Sequence, residues 1–391
     1  MGLFFRQKSF LGVDIGAGGI KLVELKAVKK RPVLLTYGIA SQKHDVHQLT
    51  QQQIFNVSGN NRITAEMFNL VDPAVNLAQQ KTEIADNKIE EYASMIKKVC
   101  RAARTVSRQA IVSLPVSAIF HAIVNLPSYI KKEEMDNMIK IEVKKFIPLP
   151  LAEMSLDYQV LNHNDDPTID TPKDIKILVN AVPNKLIVFY SKIFQTAGLT
   201  LLALEPESTA LTRSLVGVSG AMSMIIDIGE ERTNLFIIHK AVPITHQSIN
   251  FGGRKLNQIL QTILKLDDNL IENVKKDLFS YYAGKKLIDY SNFVQMFGSV
   301  VEPIAKEIDL SLELFYKQLG NKDERPQKII LTGGSAFLPY LSDYITAKFD
   351  IKTYVGDPWA RVVYQQAIRP LLQDIAPRMS VAIGLALRNV V

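Results

Sequence analysis

Two stretches of this chain share one pattern of apolar and polar positions. Phe10 to Ile15 is a continuous apolar run, Gly16 to Gly19 is a glycine-rich turn, and Ile20 to Lys26 alternates between apolar and polar residues. This pattern predicts a buried strand, a tight turn and a returning strand, which together form a hairpin. The same order of features recurs from Ser223 to His239. A repeat at so long a separation favours two related lobes with a cleft between them.

The segments around these hairpins predict mixed α/β structure. A third strand is predicted from Val33 to Ile39, and the polar, glutamine-rich stretch from Ser41 to Asp86 is typical of a loop or insertion. A small inserted unit is predicted from strand His121 to Leu126, helix Lys132 to Phe146, strand Ser155 to Leu161, strand Asp174 to Pro183 and helix Lys185 to Ala197. Later helices are predicted at Leu256 to Lys265, Asp267 to Leu278, Glu302 to Gly320 and, after Pro377, Ser380 to Arg388.

Composition narrows the function classes. With 391 residues, 47% apolar and 22% charged, the chain is long enough for two or three domains. Cys100 is the only cysteine, so no intrachain disulfide can form, and a cytoplasmic location is expected. We find neither a signal peptide nor an uncharged run long enough to span a bilayer. The net charge of +7 suits an acidic partner, but the basic segment 97–108 lacks the stacking aromatics of a nucleic-acid site.

The two hairpins carry residues that suit a phosphate ligand. Asp14 and Asp227 each stand at the end of a buried strand before a glycine turn, where backbone N–H groups can approach phosphate oxygens. Two carboxylates that face one cleft suit Mg²⁺, held through water beside a polyphosphate. Lys21 adds positive charge after the first turn, and a later strand ends at Gly333-Gly334-Ser335.

Two other kinds of phosphate site are excluded. The turn at Gly16 to Gly19 leads into a strand, whereas a Rossmann fingerprint needs a helix there, and no Walker A sequence occurs. We therefore predict an α/β fold of two actin-like ATPase lobes, each ribonuclease-H-like, with an inserted small α+β subdomain. The predicted first lobe is 9–112, with 41–86 as a variable insertion, completed by 355–391. The inserted subdomain is 113–203, and the second lobe is 204–354 with a helical subdomain at about 252–325.

Several segments resemble the PilM family, the cytoplasmic actin-like component of the type IV pilus assembly platform. They are Leu11 to Lys21, Ser113 to Phe120, Phe146 to Pro150, Leu156 to Gln159, Ala197 to Leu199, Phe251 to Leu256 and Leu331 to Ala336. Together these segments are more specific than any single glycine turn. The resemblance covers most of the chain outside 41–86.

The resemblance implies ATP or ADP with Mg²⁺ as cofactors. The implied cofactor-binding positions are Asp14, Gly16, Ala17, Gly18, Gly19, Lys21, Asp227, Gly229, Thr233, Asn234, Gly253, Glu272, Lys275, Gly333, Gly334 and Ser335. Of these, Asp14 and Asp227 are the implied metal positions, through water. Glu272 and Lys275 match the superfamily's adenosine clamp, and an exposed helix face is the alternative interpretation of that pair.

Glu205 is the candidate catalytic residue. It occupies a position where the family more often has Asp, and a carboxylate there could orient the attacking water. The alternative is a solvated cap before a helix predicted at Thr209 to Val216. We therefore expect ATP binding with at most slow hydrolysis.

The resemblance also implies a protein partner. It is a PilN-like inner-membrane protein, whose cytoplasmic N-terminal tail would bind in a groove near 115–200, between the first lobe and the inserted subdomain. Other platform and motor proteins are further candidates, whereas nucleic acid is not expected. The chain would then be cytoplasmic, and attached to the inner face of the membrane only through that partner.

Two alternative functions come from the same superfamily. The division ATPase FtsA is tethered by its own C-terminal amphipathic helix after a polar linker, but this sequence stops at Asn389-Val390-Val391, directly after its predicted last helix. A small-molecule kinase would need a polar substrate pocket, whereas the predicted inserted subdomain is apolar and rich in strands. Substrate-dependent ADP release would identify such a kinase.

Overall fold

The computed structural model describes residues 8–41, 81–147, 149–161, 174–217, 220–265, 271, 290–319 and 324–390. The chain divides into two compact units. The first unit comprises Met1–His44, Val99–Val116 and Leu202–Val391, and the second comprises Asp45–Lys98 and Ser117–Leu201. The predicted three-part division of the chain stays a prediction. Among the described residues, no helix combines the length and apolarity that crossing a bilayer requires.

The first unit contains two five-stranded sheets with the same strand order. The first sheet runs β3-β2-β1-β4-β8, with β1 (Ser9–Gly16), β2 (Gly19–Val28), β3 (Arg31–Ala40), β4 (Gln109–Leu114) and β8 (Thr200–Pro206). The second runs β11-β10-β9-β12-β13, with β9 (Ser223–Ile228), β10 (Thr233–His239), β11 (Val242–Ile249), β12 (Lys328–Thr332) and β13 (Lys352–Val355). Both predicted hairpins are confirmed. Each sheet begins with an antiparallel meander of three strands, and the first strand of the meander in sequence pairs in parallel with the fourth strand of the sheet.

The second unit contains a three-stranded antiparallel sheet. Its order is β5-β7-β6, with β5 (Phe120–Pro127), β6 (Met154–Val160) and β7 (Asp174–Pro183). Helix α2 (Lys132–Val143) contacts β5, and helix α3 (Asn184–Ala197) contacts β7. The apolar side chains of α2, including Ile139 and Val143, pack with Val124 and Val179 of the sheet. The predicted α+β composition of this segment is therefore confirmed.

Other helices differ from their predicted bounds. The structure has α1 (Lys81–Ala102), α4 (Glu207–Leu211) with a π-helical turn at Thr212–Val216, α5 (Gly253–Leu264), α6 (Tyr290–Leu319) and α7 (Leu341–Phe349). Helix α1 begins inside the segment predicted as a loop, and α6 begins before the predicted start at Glu302 because it tolerates Pro303 in its interior. The predicted helix at Asp267 to Leu278 lies outside the described residues, Ile271 excepted.

The backbone of helix α8 (Arg369–Leu387) lies very close to the backbone of two other elements of the first unit. A Cβ added to Gly12 of β1 would lie 2.0 Å from the carbonyl oxygen of Ala382. A Cβ added to Gly384 would lie 1.9 Å from the carbonyl oxygen of Ala210 in α4. No larger residue fits at either crossing. The helix therefore packs backbone to backbone against both the first sheet and the connection between the lobes.

The last helix is also longer than the sequence pattern predicts. The pattern starts it near Ser380, after Pro377, whereas α8 includes Pro377. A proline in a helix lacks a backbone donor and usually ends or kinks the helix. Here the carbonyl oxygen of Pro377 accepts hydrogen bonds from the amide of Gly333 and the hydroxyl of Thr332, each at 3.1 Å. These bonds connect α8 at Pro377 to the end of the second sheet.

Candidate functional site

The first hairpin holds a buried carboxylate beside its glycine turn. Asp14 on β1 pairs in register with Lys21 on β2, and Nζ of Lys21 lies 2.9 Å from Oδ2 of Asp14. Oγ of Ser113, on the neighbouring strand β4, donates to Oδ1 of Asp14 at 3.1 Å. Both carboxylate oxygens thus have partners, as burial of a charge requires. In the turn itself, Gly19 has a φ of +118°, which favours glycine.

The second hairpin is built in the same way and is joined by the end of β12. Asp227 on β9 lies in register between Asn234 of β10 and Thr332 of β12. Gly333 follows with a φ of +89°, and a Cβ added there would lie 2.5 Å from Oδ1 of Asp227 and 2.4 Å from the carbonyl oxygen of Ile228. The Gly-Gly turn after β12 is therefore packed directly on the Asp-Ile-Gly turn after β9.

The two hairpin turns approach each other within the first unit. A Cβ added to Gly18 would lie 3.5 Å from Cβ of Glu230, which belongs to the β9–β10 turn. A third carboxylate, Glu207 at the start of α4, is buried and interacts electrostatically with Asp14 and Asp227. The structure thus brings the three acids Asp14, Asp227 and Glu207 into one cluster, with Lys21 as their cation.

The pKa values of two of these carboxyls are raised into the neutral range. Burial, together with the charges of Asp14 and Asp227, raises the pKa of Glu207 to about 8, whereas the Val116 amide and Lys21 act to lower it. Burial and the charge of Asp14 raise the pKa of Asp227 to about 7, although part of its surface stays accessible. Three acids share one ammonium group, so ionisation of all three would leave uncompensated negative charge.

The donor set fits a divalent cation only through water. Both oxygens of Asp14 already accept hydrogen bonds from protein groups. Across the described ranges, no group of three or more His, Cys, Asp or Glu residues could hold a metal directly. However, a cation would relieve the repulsion that raises the pKa of Asp227 and Glu207. A hydrated Mg²⁺ whose waters reach Asp14 and Asp227 meets both conditions, since this ion gives up its water reluctantly.

The prediction for Glu205 needs correction. Its carboxylate accepts two hydrogen bonds from Arg213, at 2.7 and 3.0 Å, and Nη1 of Arg388 lies 3.4 Å from Oε2. Arg213 also donates to the carbonyl oxygen of Gly384 at 2.6 Å. Glu205 is thus buried and committed to two arginines, so it is neither a solvated cap nor free to orient water. The carboxylate beside Asp14 and Asp227 is Glu207.

Several predicted phosphate contacts have structural partners. Thr233 is buried, and its hydroxyl donates to the carbonyl oxygen of Phe251 at 2.7 Å. Oδ1 of Asn234 accepts from the hydroxyl of Ser248 at 2.7 Å. These two side chains stabilise the second hairpin and its continuation into α5.

The start of helix α5 is bonded to the β9–β10 turn. The amide of Gly253 donates to the carbonyl oxygen of Gly229, and the amide of Arg254 donates to that of Glu230, both at 2.8 Å. A Cβ added to Gly252 would lie 2.7 Å from the same two carbonyl oxygens. The predicted residue Gly253 therefore lies at the site, but its amide is already used within the protein.

Of five further predicted positions, one is exposed, two are buried and two lie outside the described residues. Gly334 is exposed, whereas Ser335 is buried with its amide 3.3 Å from the carbonyl oxygen of Ile228. Ala17, in the first turn, is buried. Glu272 and Lys275 lie outside the described residues.

Sequence reasoning missed three residues of the cluster. The first is Ser113, whose position beside Asp14 results from the parallel pairing of β1 with β4. Arg232 is partly buried, which lowers its pKa, and it interacts electrostatically with Glu207. Glu207 itself stands two residues after Glu205, across Pro206. Both glutamates were visible in the sequence, but nothing in the pattern decides which one turns toward the hairpins.

Comparison with known proteins agrees with this architecture. The family described as type IV pilus assembly protein PilM matches residues 62–390. A solved structure titled "PilM-PilN type IV pilus biogenesis complex" is similar with a TM-score of 0.71 at 22% identity, over 97% of this chain and 98% of that chain. This likeness shows that the two chains share one fold.

Two further structures are similar at lower scores. The ethanolamine utilization protein EutJ from Carboxydothermus hydrogenoformans has a TM-score of 0.47 at 16% identity, over 97% of this chain and 89% of that chain. MreB 5 of Spiroplasma citri bound to AMPPNP has a TM-score of 0.45 at 13% identity, over 96% of this chain and 94% of that chain. Since the PilM family match spans most of the sequence, this chain belongs to the PilM family of type IV pilus assembly proteins.

Proposed function

We propose that this protein is an ATP- and ADP-binding scaffold on the cytoplasmic side of a type IV pilus or related secretion platform. The observation that supports nucleotide binding is the meeting of two Asp-Ile-Gly turns, seen in the approach of Gly18 to Glu230. Glycine turns present backbone N–H groups without a Cβ in the way, and a polyphosphate is the ligand that such turns suit. Two such turns that face each other could bind the two ends of one polyphosphate.

Each part of the site has a role in this proposal. The turns after Asp14 and Asp227 bind phosphate through backbone amides, and Lys21 offsets negative charge. The exposed Gly334, next to the closely packed Gly333, leaves room for the nucleoside. Mg²⁺, when bound, supplies positive charge between phosphates and carboxylates, and Asp14 and Asp227 hold its waters.

Hydrolysis is expected to be slow. Glu207 replaces Glu205 as the candidate residue that orients water. Because its pKa is raised to about 8, its carboxyl is mostly protonated at neutral pH, so only a small fraction of the protein carries the carboxylate that could accept a proton from water. A binding and signalling role for the nucleotide therefore suits this site better than rapid turnover.

The affinity for ADP without Mg²⁺ is expected to fall as the pH rises through 7 and 8. Anionic phosphates raise the pKa of Asp227 and Glu207 above the values of about 7 and about 8 in the free protein. The complex then binds more protons than the free protein, so by linkage its formation weakens as these groups ionise. A fall of about tenfold is expected for each pKa unit of added shift, and Mg²⁺ should reduce it. Calorimetric titration across this pH range measures the effect.

Two variants give the matched comparison for this titration. Glu207→Gln removes the group with the higher pKa and should flatten the profile near pH 8. Glu90→Gln, on the exposed face of α1, should leave the profile unchanged. Affinity that rises with pH would contradict the electrostatic account. Failure to bind either ADP or ATP at any pH would remove the nucleotide proposal itself.

The partner proposal concerns the second unit. Its central strand β7 lies between β5 and β6, so the sheet has two edges at which an extended peptide can add a strand. Large apolar side chains are exposed nearby in the chain: Tyr129, which follows β5, is 84% exposed, and Phe146, which follows α2, is 57% exposed. The related structure is titled as a complex of PilM with PilN. We infer that a PilN-like membrane protein binds here through its cytoplasmic N-terminal tail, which attaches this protein to the inner face of the membrane.

Phe146→Ser is expected to weaken binding of a synthetic tail peptide by about 30-fold or more, which is the loss that truncation of an aromatic hot-spot residue produces. Because Phe146 is largely exposed, its loss should leave folding intact. Fluorescence titration with labelled peptide measures the affinity. Leu310→Ser, at a 43% exposed position of α6 in the first unit, is the control and should bind like the wild type. Equal loss in both variants would argue against a site on the second unit.

A further inference from the structure

One end of the first sheet carries an exposed cluster of basic side chains, which we call the basic face. It consists of Lys8, Lys29, Lys30, Arg31, Arg104 and Arg108, all exposed. We propose that the basic face binds the surface of an anionic lipid bilayer directly. This inference goes beyond the proposed function, because it requires neither nucleotide nor a PilN-like tail.

The topology of the first sheet brings these residues together. Lys8 precedes β1, and Lys29 and Lys30 form the two-residue turn between β2 and β3, where Val28 pairs with Arg31. The first residue of β1 pairs with Lys26 of β2, which places the start of β1 at the same end as that turn. Strand β4 runs parallel to β1, so the loop before β4, which carries Arg104 and Arg108, reaches this end as well.

Buried hydrogen bonds fix the loop to the sheet. Glu24 of β2 is fully buried and accepts from the amides of Val106 and Ser107 at 2.9 and 2.8 Å. The hydroxyl of Ser107 donates to the carbonyl oxygen of Ser9 at 2.7 Å. The hydroxyl of Thr36 donates to the carbonyl oxygen of Ala103 at 2.7 Å. The basic side chains therefore project from a defined surface.

Charge on this face is not neutralised by neighbours in the same segments. Residues 8–41 contain two acids, Asp14 and Glu24, both buried, and residues 99–116 contain none. In the part of the chain that the structure describes, none of the six basic side chains forms an ion pair. Six unpaired cations on one surface produce a strong local positive potential.

Three of these residues are held in a strained backbone conformation. Lys29, Lys30 and Arg104 have φ values of +50°, +62° and +52°. A two-residue hairpin turn with positive φ at both positions normally carries Asn or Gly, and lysine there costs stability. The basic side chains at these positions therefore carry a conformational cost, as does Lys240 in the corresponding turn of the second sheet.

The composition of the face favours a bilayer over other acidic partners. Val106 lies in the loop between Arg104 and Arg108 and is 59% exposed, so an apolar side chain stands among the cations. Cations around an apolar residue suit a headgroup layer above acyl chains. The aromatic residues of these segments, Phe10 and Tyr37, are not exposed, so the face lacks stacking platforms for nucleic acid.

Co-sedimentation of the purified full chain with lipid vesicles tests the proposal. The protein should bind vesicles of phosphatidylcholine mixed with phosphatidylglycerol, should not bind pure phosphatidylcholine, and should dissociate as salt is added. The triple variant Lys29→Glu, Lys30→Glu, Arg31→Glu should lower the partition coefficient by about 100-fold or more. The separate variant Arg104→Glu, Arg108→Glu should lower it by about tenfold or more, since the loop belongs to the same face.

A charge-matched control distinguishes the effect of the basic face from the effect of the protein's net charge. Lys240→Glu, Lys255→Glu, Lys352→Glu makes the same change at exposed positions of the second lobe, one of which, Lys240, also has a positive φ of 48°. This control should bind within about threefold of wild type. Equal loss in control and test variants, or no binding of wild type to anionic vesicles, would overturn the proposal. Binding to single-stranded DNA or an acidic peptide without binding to vesicles would also overturn it. None of these outcomes depends on nucleotide or the tail peptide.

Discussion

Replacing Gly333 with alanine is expected to abolish measurable ADP binding and to destabilise the protein by about 2–4 kcal/mol. The added Cβ would lie 2.4 Å from the carbonyl oxygen of Ile228 and 2.5 Å from Oδ1 of Asp227, so backbone and carboxylate must both move. The φ of +89° adds strain for any side chain. Calorimetric ADP titration and urea denaturation measure the two effects separately.

Gly220→Ala is the matched control for that substitution. A Cβ at Gly220 meets nothing within 4 Å, and its φ does not lie in the left-handed region. We expect its unfolding free energy to stay within about 0.5 kcal/mol of the wild type and its ADP affinity to be unchanged. If Gly333→Ala bound ADP normally while remaining folded, the turn after β12 would lie outside the nucleotide site.

Arg213→Met is expected to lower the unfolding free energy by about 3–5 kcal/mol, because it leaves a buried carboxylate without its main partner. Arg213 makes both bonds to Glu205 and one to the carbonyl oxygen of Gly384, whereas Arg388 reaches Glu205 only at 3.4 Å. The double variant with Glu205→Gln should recover part of this loss, since the uncompensated charge is then removed. Urea denaturation at neutral pH measures the unfolding free energies of the wild type, of Arg213→Met and of the double variant.

An exposed ion pair serves as the control for the buried pair of Arg213 with Glu205. Lys317 lies 3.2 Å from Glu313 on α6, with both side chains more than half exposed. Lys317→Met should therefore cost about 0.5 kcal/mol or less. A cost for Arg213→Met no larger than this would mean that solvent, rather than the arginine, stabilises Glu205.

The sequence predicted the hairpins well because their information is local. A buried apolar run, a glycine turn and strict alternation fix strand, turn and strand without reference to the rest of the chain. The recurrence of that pattern then indicated two lobes, and the two sheets share one strand order. Asp14 and Asp227 were identifiable for the same reason, since each stands at a fixed place in a hairpin.

Features that depend on tertiary contacts were not predictable in the same way. The choice between Glu205 and Glu207 depends on Arg213, which is contributed by the π-helical turn that follows α4. The length of α8 depends on bonds from the second sheet to the carbonyl oxygen of Pro377. Local propensity favours ending a helix at proline, whereas tertiary contacts can keep the helix intact through it.

The position of α8 has a consequence for how the protein is made. Gly12 leaves the ribosome long before the helix it packs against, and Thr332 leaves it before the carbonyl group of Pro377 that accepts its hydrogen bond. Contacts between segments so far apart in the chain form slowly, because a long loop must close first. The surface of β1 that faces α8 therefore stays uncovered until α8 has been synthesised. Nascent chains stalled before Arg369 should consequently bind holdase chaperones, whereas the released protein, in which α8 can pack, should escape them.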